Sequence, residues 1–61
     1  MFKPETIEEA EIYEYIKNNF SLEYLEIYRY DGGLETVDKE GNNLYFWIDE
    51  HGAVAYDDYP F

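Results

Sequence analysis

Two pairs of adjacent carboxylates and one histidine are the side chains of this 61-residue sequence that could do acid–base chemistry. The pairs are Asp49-Glu50 and Asp57-Asp58, and His51 follows the first pair. A general acid and a general base must face one substrate, whereas adjacent residues of a strand point to opposite faces of a sheet. The sequence has no cysteine, and its only serine, Ser21, lies at a predicted helix–strand junction. We therefore predict that the protein is not an enzyme and has no catalytic residue.

The same carboxylates could also bind a metal ion. Asp49, Glu50 and His51 carry side chains that ligate divalent cations, and residues 38–42 have some of the acid and glycine content of a calcium loop. Gly41 comes too early for the calcium-loop pattern, in which acids alternate along the loop before the glycine. We predict no specific metal site and no cofactor.

The net charge is the most unusual property of the sequence. Fifteen acidic residues against four basic ones give a formal charge of -11. Disordered acidic tails are poor in aromatic residues, but here 21% of the residues are aromatic and 46% are hydrophobic. The composition therefore predicts one folded acidic domain spanning residues 1–61.

The same composition indicates the partners and the compartment that we expect. Phosphate binding depends on clustered lysine and arginine, whereas Lys3, Lys17, Arg29 and Lys39 are scattered among acids, so direct nucleic-acid binding is not expected. The sequence has no apolar run approaching the ~20 residues of a membrane span and no signal-peptide pattern, so we expect no membrane partner. The absence of cysteine favours a cytoplasmic location.

A helix is predicted at the start of the chain. Thr6 is a favourable N-cap and Glu9 has capping-box spacing from it. Ile12, Ile16 and Phe20 recur every four residues and form one apolar stripe. Asn18-Asn19 indicates that the helix ends near Phe20.

The hydrophobic period then changes from 3.6 to 2, which predicts strands. They are separated by glycine-containing turns at Asp31–Gly33, Lys39–Asn42 and Glu50–Gly52, which is typical of an antiparallel meander. The four predicted strands span Glu23–Tyr30, Leu34–Asp38, Asn43–Asp49 and Ala53–Asp57. The predicted fold is α+β, with one N-terminal amphipathic helix packed on a three- to four-stranded antiparallel sheet.

One helix can cover only one face of such a sheet. The predicted core contains Ile12, Ile16, Phe20, Leu25, Ile27, Leu44, Phe46 and Ile48. In the second strand, either Leu34 with Thr36 or Val37 could face inward. In the fourth strand, either Val54 with Tyr56 or the two alanines could do so. The other face is predicted to be aromatic, and an exposed aromatic face on a small protein indicates a binding partner.

We therefore predict a non-enzymatic inhibitor that binds a basic nucleic-acid-binding protein or a nuclease. Its carboxylates would imitate the phosphates of a nucleic acid and steer the protein into a basic groove. The acidic residues expected at the interface are Glu8, Glu11, Glu14, Glu26, Asp31, Glu35, Asp38, Asp49, Asp57 and Asp58. The aromatic residues expected there are Tyr24, Tyr28, Tyr30, Tyr45 and Trp47.

The small size, the acidity and the aromatic content together resemble those of acidic inhibitors from phages and mobile elements. That resemblance, which includes DNA-mimicking anti-CRISPR and anti-restriction proteins, implies an anti-defence role. Residues 25–54, with strands that end in acidic glycine turns, are also similar to PepSY-like modules, which are usually exported. Neither resemblance rests on a family motif, so neither assigns a role to a residue.

Two alternatives share these features. In the first, the aromatic face is an interaction module that forms a weak homodimer or docks a protein, and the acidity serves solubility. In the second, the protein binds a basic toxin as an immunity-type partner. The sequence leaves open whether the acidic helix face or the aromatic sheet face is the interface.

Overall fold

The predicted α+β fold is confirmed by the structure, a computed structural model that describes residues 2–59, with the backbone alone at residue 59. One helix packs on a four-stranded antiparallel sheet of strand order β1-β2-β3-β4. The elements are α1 (Ile7–Asn19), a short 3-10 helix (Leu22–Tyr24), β1 (Leu25–Tyr30), β2 (Gly33–Asp38), β3 (Asn43–Ile48) and β4 (Val54–Tyr59). No helix in the described part of the chain is long and apolar enough to cross a membrane.

The helix begins where the capping signal places it. The hydroxyl of Thr6 accepts a hydrogen bond from the Glu9 amide at 3.1 Å. The Glu9 carboxylate reaches back past the cap and accepts from the Glu5 amide at 2.8 Å. The first bond satisfies one of the amides that a helix start leaves without a helical partner, and the second fixes the segment that leads into the cap.

The predicted strand boundaries need four corrections. Glu23 and Tyr24 belong to the 3-10 helix rather than to the first strand, because the chain must turn from the end of α1 onto the sheet, and a tight turn does this in three residues. The second strand begins one residue earlier than predicted, at Gly33, because Gly33 pairs with Tyr30. The third strand ends at Ile48 rather than at Asp49, because Asp49 begins the turn to β4. The last strand is Val54–Tyr59 rather than Ala53–Asp57, since β3 offers it pairing partners as far as Asn43.

The hairpin between β1 and β2 has a two-residue loop. Asp31 (φ 47°) and Gly32 (φ 82°) both adopt left-handed backbone conformations. This combination is typical of the type I′ turn, whose twist matches that of the strands and which favours Asp-Gly sequences. The turn thereby fixes the register of the β1–β2 pair.

The other two hairpins use one repeated turn. In each, an aspartate lies where the first strand of the hairpin meets the loop. One of its carboxylate oxygens accepts hydrogen bonds from two loop amides. Asp38 accepts from Glu40 and Asn42, and Asp49 accepts from His51 and Ala53. The spacing Asp-x-x-Gly, with Gly41 and Gly52 at positive φ, is common to both.

The core lies between α1 and the centre of the sheet. Ile12, Ile16, Leu34 and Phe46 are fully buried, and Thr36 is 1% exposed. The predicted core residues Phe20, Leu25, Ile27, Leu44 and Ile48 are partly buried and pack around this centre. The structure also decides which residues of the second and fourth strands face inward. In β2, Leu34 and Thr36 face the helix, and in β4, Tyr56 stacks on Phe46.

Candidate protein-binding face

The sheet face opposite α1 is the candidate functional site, and we call it the open face. Residues alternate between faces along a strand, so the burial of Leu34, Thr36 and Phe46 under the helix assigns their neighbours to the other side. The open face contains Glu26, Tyr28, Tyr30, Gly33, Glu35, Val37, Asn43, Tyr45, Trp47, Ala55 and Asp57. None of these described strand residues is a lysine or an arginine.

Aromatic rings and carboxylates alternate in one row across the open face. The strand register aligns Tyr28 with Glu35, Glu35 with Tyr45 and Tyr45 with Asp57. Directly opposed residues on neighbouring strands have close Cβ atoms. The row therefore brings together ring surface and negative charge from all four strands.

Three aromatic side chains form a cluster at one end of the open face. The ring of Tyr45 stacks on Trp47 (centroid separation 5.5 Å, interplanar angle 19°). Tyr30 meets Tyr45 edge-on at 5.3 Å. We call Tyr30, Tyr45 and Trp47 the aromatic cluster.

Gly33 in β2 makes room for this cluster between β1 and β3. A Cβ at Gly33 would overlap the backbone oxygen of Phe46 and would lie 3.0 Å from the Tyr45 ring and hydroxyl. The Tyr45 hydroxyl crosses over Gly33 and donates to the Asp31 carbonyl at 3.1 Å. Burial, followed by the charge of Asp31, raises the pKa of Tyr45 above its usual value. The cluster is thus a fixed part of the fold.

The remaining aromatic residues predicted at the interface are more exposed. Tyr28 is 48% and Tyr30 is 40% exposed. Tyr24, at 55%, lies in the 3-10 helix rather than in β1, and the Lys39 ammonium lies 5.2 Å from its ring centroid. The structure therefore places Tyr24 beside the sheet, next to a cation, and not in the row of Tyr28 and Tyr45.

Among the described residues, no lysine or arginine forms a salt bridge with a carboxylate of the open face, although Lys39 lines a surface hollow with Glu26. Glu35 accepts a hydrogen bond from the Asn43 side chain at 3.0 Å, whereas Glu26 and Asp57 are exposed. The charge of Glu26, the largest cause, raises the pKa of Tyr28 above its usual value. The open face thus combines exposed ring surface with negative potential.

The other acids predicted at the interface lie elsewhere. Glu8, Glu11 and Glu14 are exposed on α1, on the side of the molecule away from the open face. Asp31 is exposed in the turn between β1 and β2, and Asp58 is exposed in β4. Asp38 and Asp49 hold their turns, and the hydrogen bond from Asn42 is the largest cause of a lowered pKa at Asp38. The sequence-predicted acids therefore form separate groups, and one of these groups adjoins the aromatic residues.

A contact between Arg29 and the N-terminal segment was missing from the sequence-based prediction. The Arg29 side chain lies on the covered face of β1, where Nε donates to both Glu9 carboxylate oxygens at 3.1 and 3.0 Å. Its guanidinium stands 4.7 Å from the Phe2 ring centroid, donates to the Lys3 carbonyl and lies 3.6 Å from Glu5. The available signal was a single arginine in an otherwise acidic and aromatic strand.

No metal-binding group of three or more His, Asp or Glu side chains occurs among the described residues. His51 is exposed, and its Nε2 lies 3.8 Å from the Glu50 carboxylate. No protein-family model, curated protein or solved structure matches this chain.

Proposed function

We propose that this protein is a non-enzymatic binding domain that recognises a basic protein surface through its open face. The observation that carries the proposal is the row in which Tyr28, Glu35, Tyr45 and Asp57 alternate across four strands. Arginine is the side chain best suited to this row, because its guanidinium pairs with carboxylates and stacks on aromatic rings. The expected partner surface is therefore rich in arginine.

The more specific form of the proposal concerns the partner. A charge of -11 on 61 residues would accelerate association with a positively charged groove. The grooves of DNA- and RNA-processing proteins have that charge because they bind phosphates. We therefore propose that the protein inhibits such a protein by occupying its groove, as a nucleic-acid mimic of the phage or mobile-element type.

A capture experiment with matched charge variants tests the assignment to the open face. The immobilised protein is exposed to bacterial lysate at ~0.1 M salt, and bound proteins are eluted with a salt step and with competing DNA. One variant replaces Glu26, Glu35 and Asp57 by their amides. The control replaces Glu8, Glu11 and Glu14 by glutamine, which changes the net charge equally but on α1.

We expect the wild type and the α1 control to retain a nuclease or DNA-binding protein that DNA displaces, and the open-face variant to lose it. Equal retention by both variants would contradict the role of the open face. Loss by the α1 variant alone would assign the interface to the helix. A partner that resists both high salt and DNA would contradict mimicry.

A homodimerisation module is the second candidate function, and the aromatic cluster favours it. Tyr30, Tyr45 and Trp47 supply contiguous ring surface, and such residues are enriched in interfaces. Two copies would each carry a charge of -11, so the dimer should be weak and should strengthen with salt. Light scattering at low and high salt, with Trp47→Ser as the variant that weakens the contact, distinguishes this candidate from the first.

A further inference from the structure

The outer edge of β1 is an unpaired strand edge. β1 pairs with β2 through six consecutive residue pairs, from Leu25 with Asp38 to Tyr30 with Gly33. No described strand pairs with its other side. Edge strands are commonly protected by proline, by a bulge, by very short length or by charged side chains. The six residues Leu25–Tyr30 have only the last of these, and of their two charges Arg29 is paired with Glu9 and Glu5, which leaves Glu26 to select the strand that is added. The edge can therefore accept another strand.

A groove lies beside this edge on the covered face. The helix packs chiefly on β2 and then on β3 and β4. The space beside β1 is consequently a groove of about 830 Å³, and its apolar lining includes Phe2, Tyr13, Leu22, Leu25 and Ile27. The groove offers room for the side chains that an added strand would direct toward the helix side.

The charges around the edge identify the kind of segment that fits. Glu5 and Glu23 line the groove with Lys3 and Arg29, and Glu26 borders it from the open face of β1. Four carboxylates, those of Glu5, Glu9, Glu23 and Glu26, surround the edge with two cations, Lys3 and Arg29, so negative charge is in excess. Lys39, farther along the same edge, is accompanied by Asp38. Glu26 and Tyr28 present their side chains on the open face of the same strand. A basic segment is complementary to this edge, whereas a second copy of this acidic chain is repelled by it.

We infer that the β1 edge binds an extended segment of a basic protein partner as an added antiparallel or parallel strand. Apolar side chains of the segment occupy the groove beside Leu25 and Ile27, and alternate arginine or lysine side chains lie on the open face beside Glu26 and Tyr28. Main-chain hydrogen bonds supply affinity and the alternation supplies specificity, as in other cases of strand addition. The inference rests on the proposed function for the basic character of the partner, and it adds the mode of recognition.

A short blocked peptide in which arginine and valine alternate is the probe. Its control has the same composition, with the arginines and the valines in two separate blocks. Binding is followed by NMR through the backbone amide shifts of the whole protein. We expect the alternating peptide to shift the amides of Leu25–Tyr30 and to bind at least about tenfold more tightly than the control.

Two further peptides test the main-chain hydrogen bonds. Each carries N-methyl groups on every second amide, and the two sets are offset by one residue, so that only one of them blocks the amides facing β1. Because several main-chain hydrogen bonds are lost at once, we expect one methylated peptide to bind about tenfold or more weakly and the other to be little changed. Equal affinities of the two methylated peptides would overturn strand addition.

A pair of charge reversals locates the site. Glu26→Lys and Asp57→Lys alter exposed acids of the open face by the same charge, on opposite edge strands. We expect Glu26→Lys to weaken the alternating peptide several-fold more than Asp57→Lys does. Equal weakening, or shifts confined to β3 and β4, would overturn the β1 assignment while leaving the open-face proposal in place. Absence of binding by the alternating peptide would also overturn it, whereas the lysate experiment tests the proposed function separately.

Discussion

The two faces of the sheet are made by the same four strands, and they differ in what their side chains contact. On the covered face, Leu34 and Phe46 are fully buried beneath α1. On the open face, their neighbours Glu35 and Tyr45 are partly exposed. A single helix can bury only one face, so stability depends mainly on the covered face and the open face is available for recognition.

The rings of the two faces show the difference most clearly. Phe46 contacts Phe20, Tyr15 and Tyr56 and is shielded from water. Tyr45 contacts Trp47 and Tyr30, and both Tyr45 and Trp47 remain half-buried. Aromatic content alone therefore does not distinguish a core from a solvent-facing surface, because the contacts of each ring decide which one it forms.

The largest expected effect compares one ring from each face. Phe46→Ala should destabilise the fold by about 3–5 kcal/mol, because it opens a cavity in the core. Tyr28→Ala should cost at most about 1 kcal/mol, because that ring is already about half exposed. Urea denaturation measures both. A chain of this length has about 3–9 kcal/mol of stability in all, so Phe46→Ala should remove a third of it or more. Similar costs for the two variants would contradict the division between the faces.

The next largest expected effect is the loss of stability when a side chain is added at Gly33, over which Tyr45 crosses. Gly33→Ala should destabilise the protein by about 1–3 kcal/mol, because the new methyl group overlaps the Phe46 carbonyl and crowds Tyr45. Adding Tyr45→Ser removes the crowding by the ring but leaves the backbone overlap. Little rescue in thermal or urea unfolding is therefore expected, and full rescue would show that the ring alone excludes a side chain at Gly33.

A smaller effect tests the contact between Arg29 and Glu9 on the covered face. The hydrogen bond from the Glu5 amide, together with the pairing with Arg29, holds the pKa of Glu9 below its ordinary value of 4.5. A lowered pKa in the folded state stabilises the fold above the unfolded-state pKa, and this stabilisation is lost as the pH falls through the folded-state value. Glu9→Gln should therefore destabilise the protein at pH 7 more than Glu8→Gln does.

The difference between the two variants should begin to shrink below about pH 4.5, where Glu9 becomes protonated in the unfolded state, and should be lost once the pH has fallen through the lower pKa of Glu9 in the folded state. Urea midpoints of the wild type and both variants, measured from pH 7 to acid, provide the comparison. A difference that stays constant over this range would show that the Glu9 charge is not the source of its effect.

The smallest expected effect is a change in the pKa of one open-face tyrosine, Tyr28, but not of another, Tyr45. Glu26→Gln should lower the pKa of Tyr28, because the charge of Glu26 is the largest cause of its elevation. It should leave the pKa of Tyr45 nearly unchanged, since burial is the largest cause there. NMR titration of the tyrosine ring carbons in alkali measures both values. A common shift of the two tyrosines would indicate a field spread over the whole face rather than a local pair.

The elements of the fold were predictable wherever the pattern was strong. The Thr6 cap, the Ile12–Ile16 stripe and the alternation Leu44–Phe46–Ile48 against Tyr45–Trp47 were identified from spacing and are confirmed by the structure. The start of β1 was wrong, because residues 22–24 have the alternation of a strand but form the turn that leads onto it. The inward face of β2 was left open, because Leu34 with Thr36 and Val37 were equally suitable by hydrophobicity.

The candidate site was predictable only as a list of residue types. The open-face aromatic residues followed from alternation, except Tyr24, but the acids could not be sorted into open-face, helix and turn groups. The roles of Asp38 and Asp49 in turns depend on loop amides whose positions follow from the backbone conformation. The Arg29–Glu9 pair joins residues far apart in sequence, and no periodicity relates them.

Composition and local periodicity were sufficient to establish an acidic α+β domain, its helix cap, its hairpin turns and the two faces of β3, because each depends on neighbours a few residues away. The meeting of Tyr30 with Tyr45 over Gly33, the choice of Leu34 and Thr36 for the core, and the groove beside β1 required the folded chain. These features depend on strand register and on where the helix lies across the sheet, and both are set by contacts between distant residues.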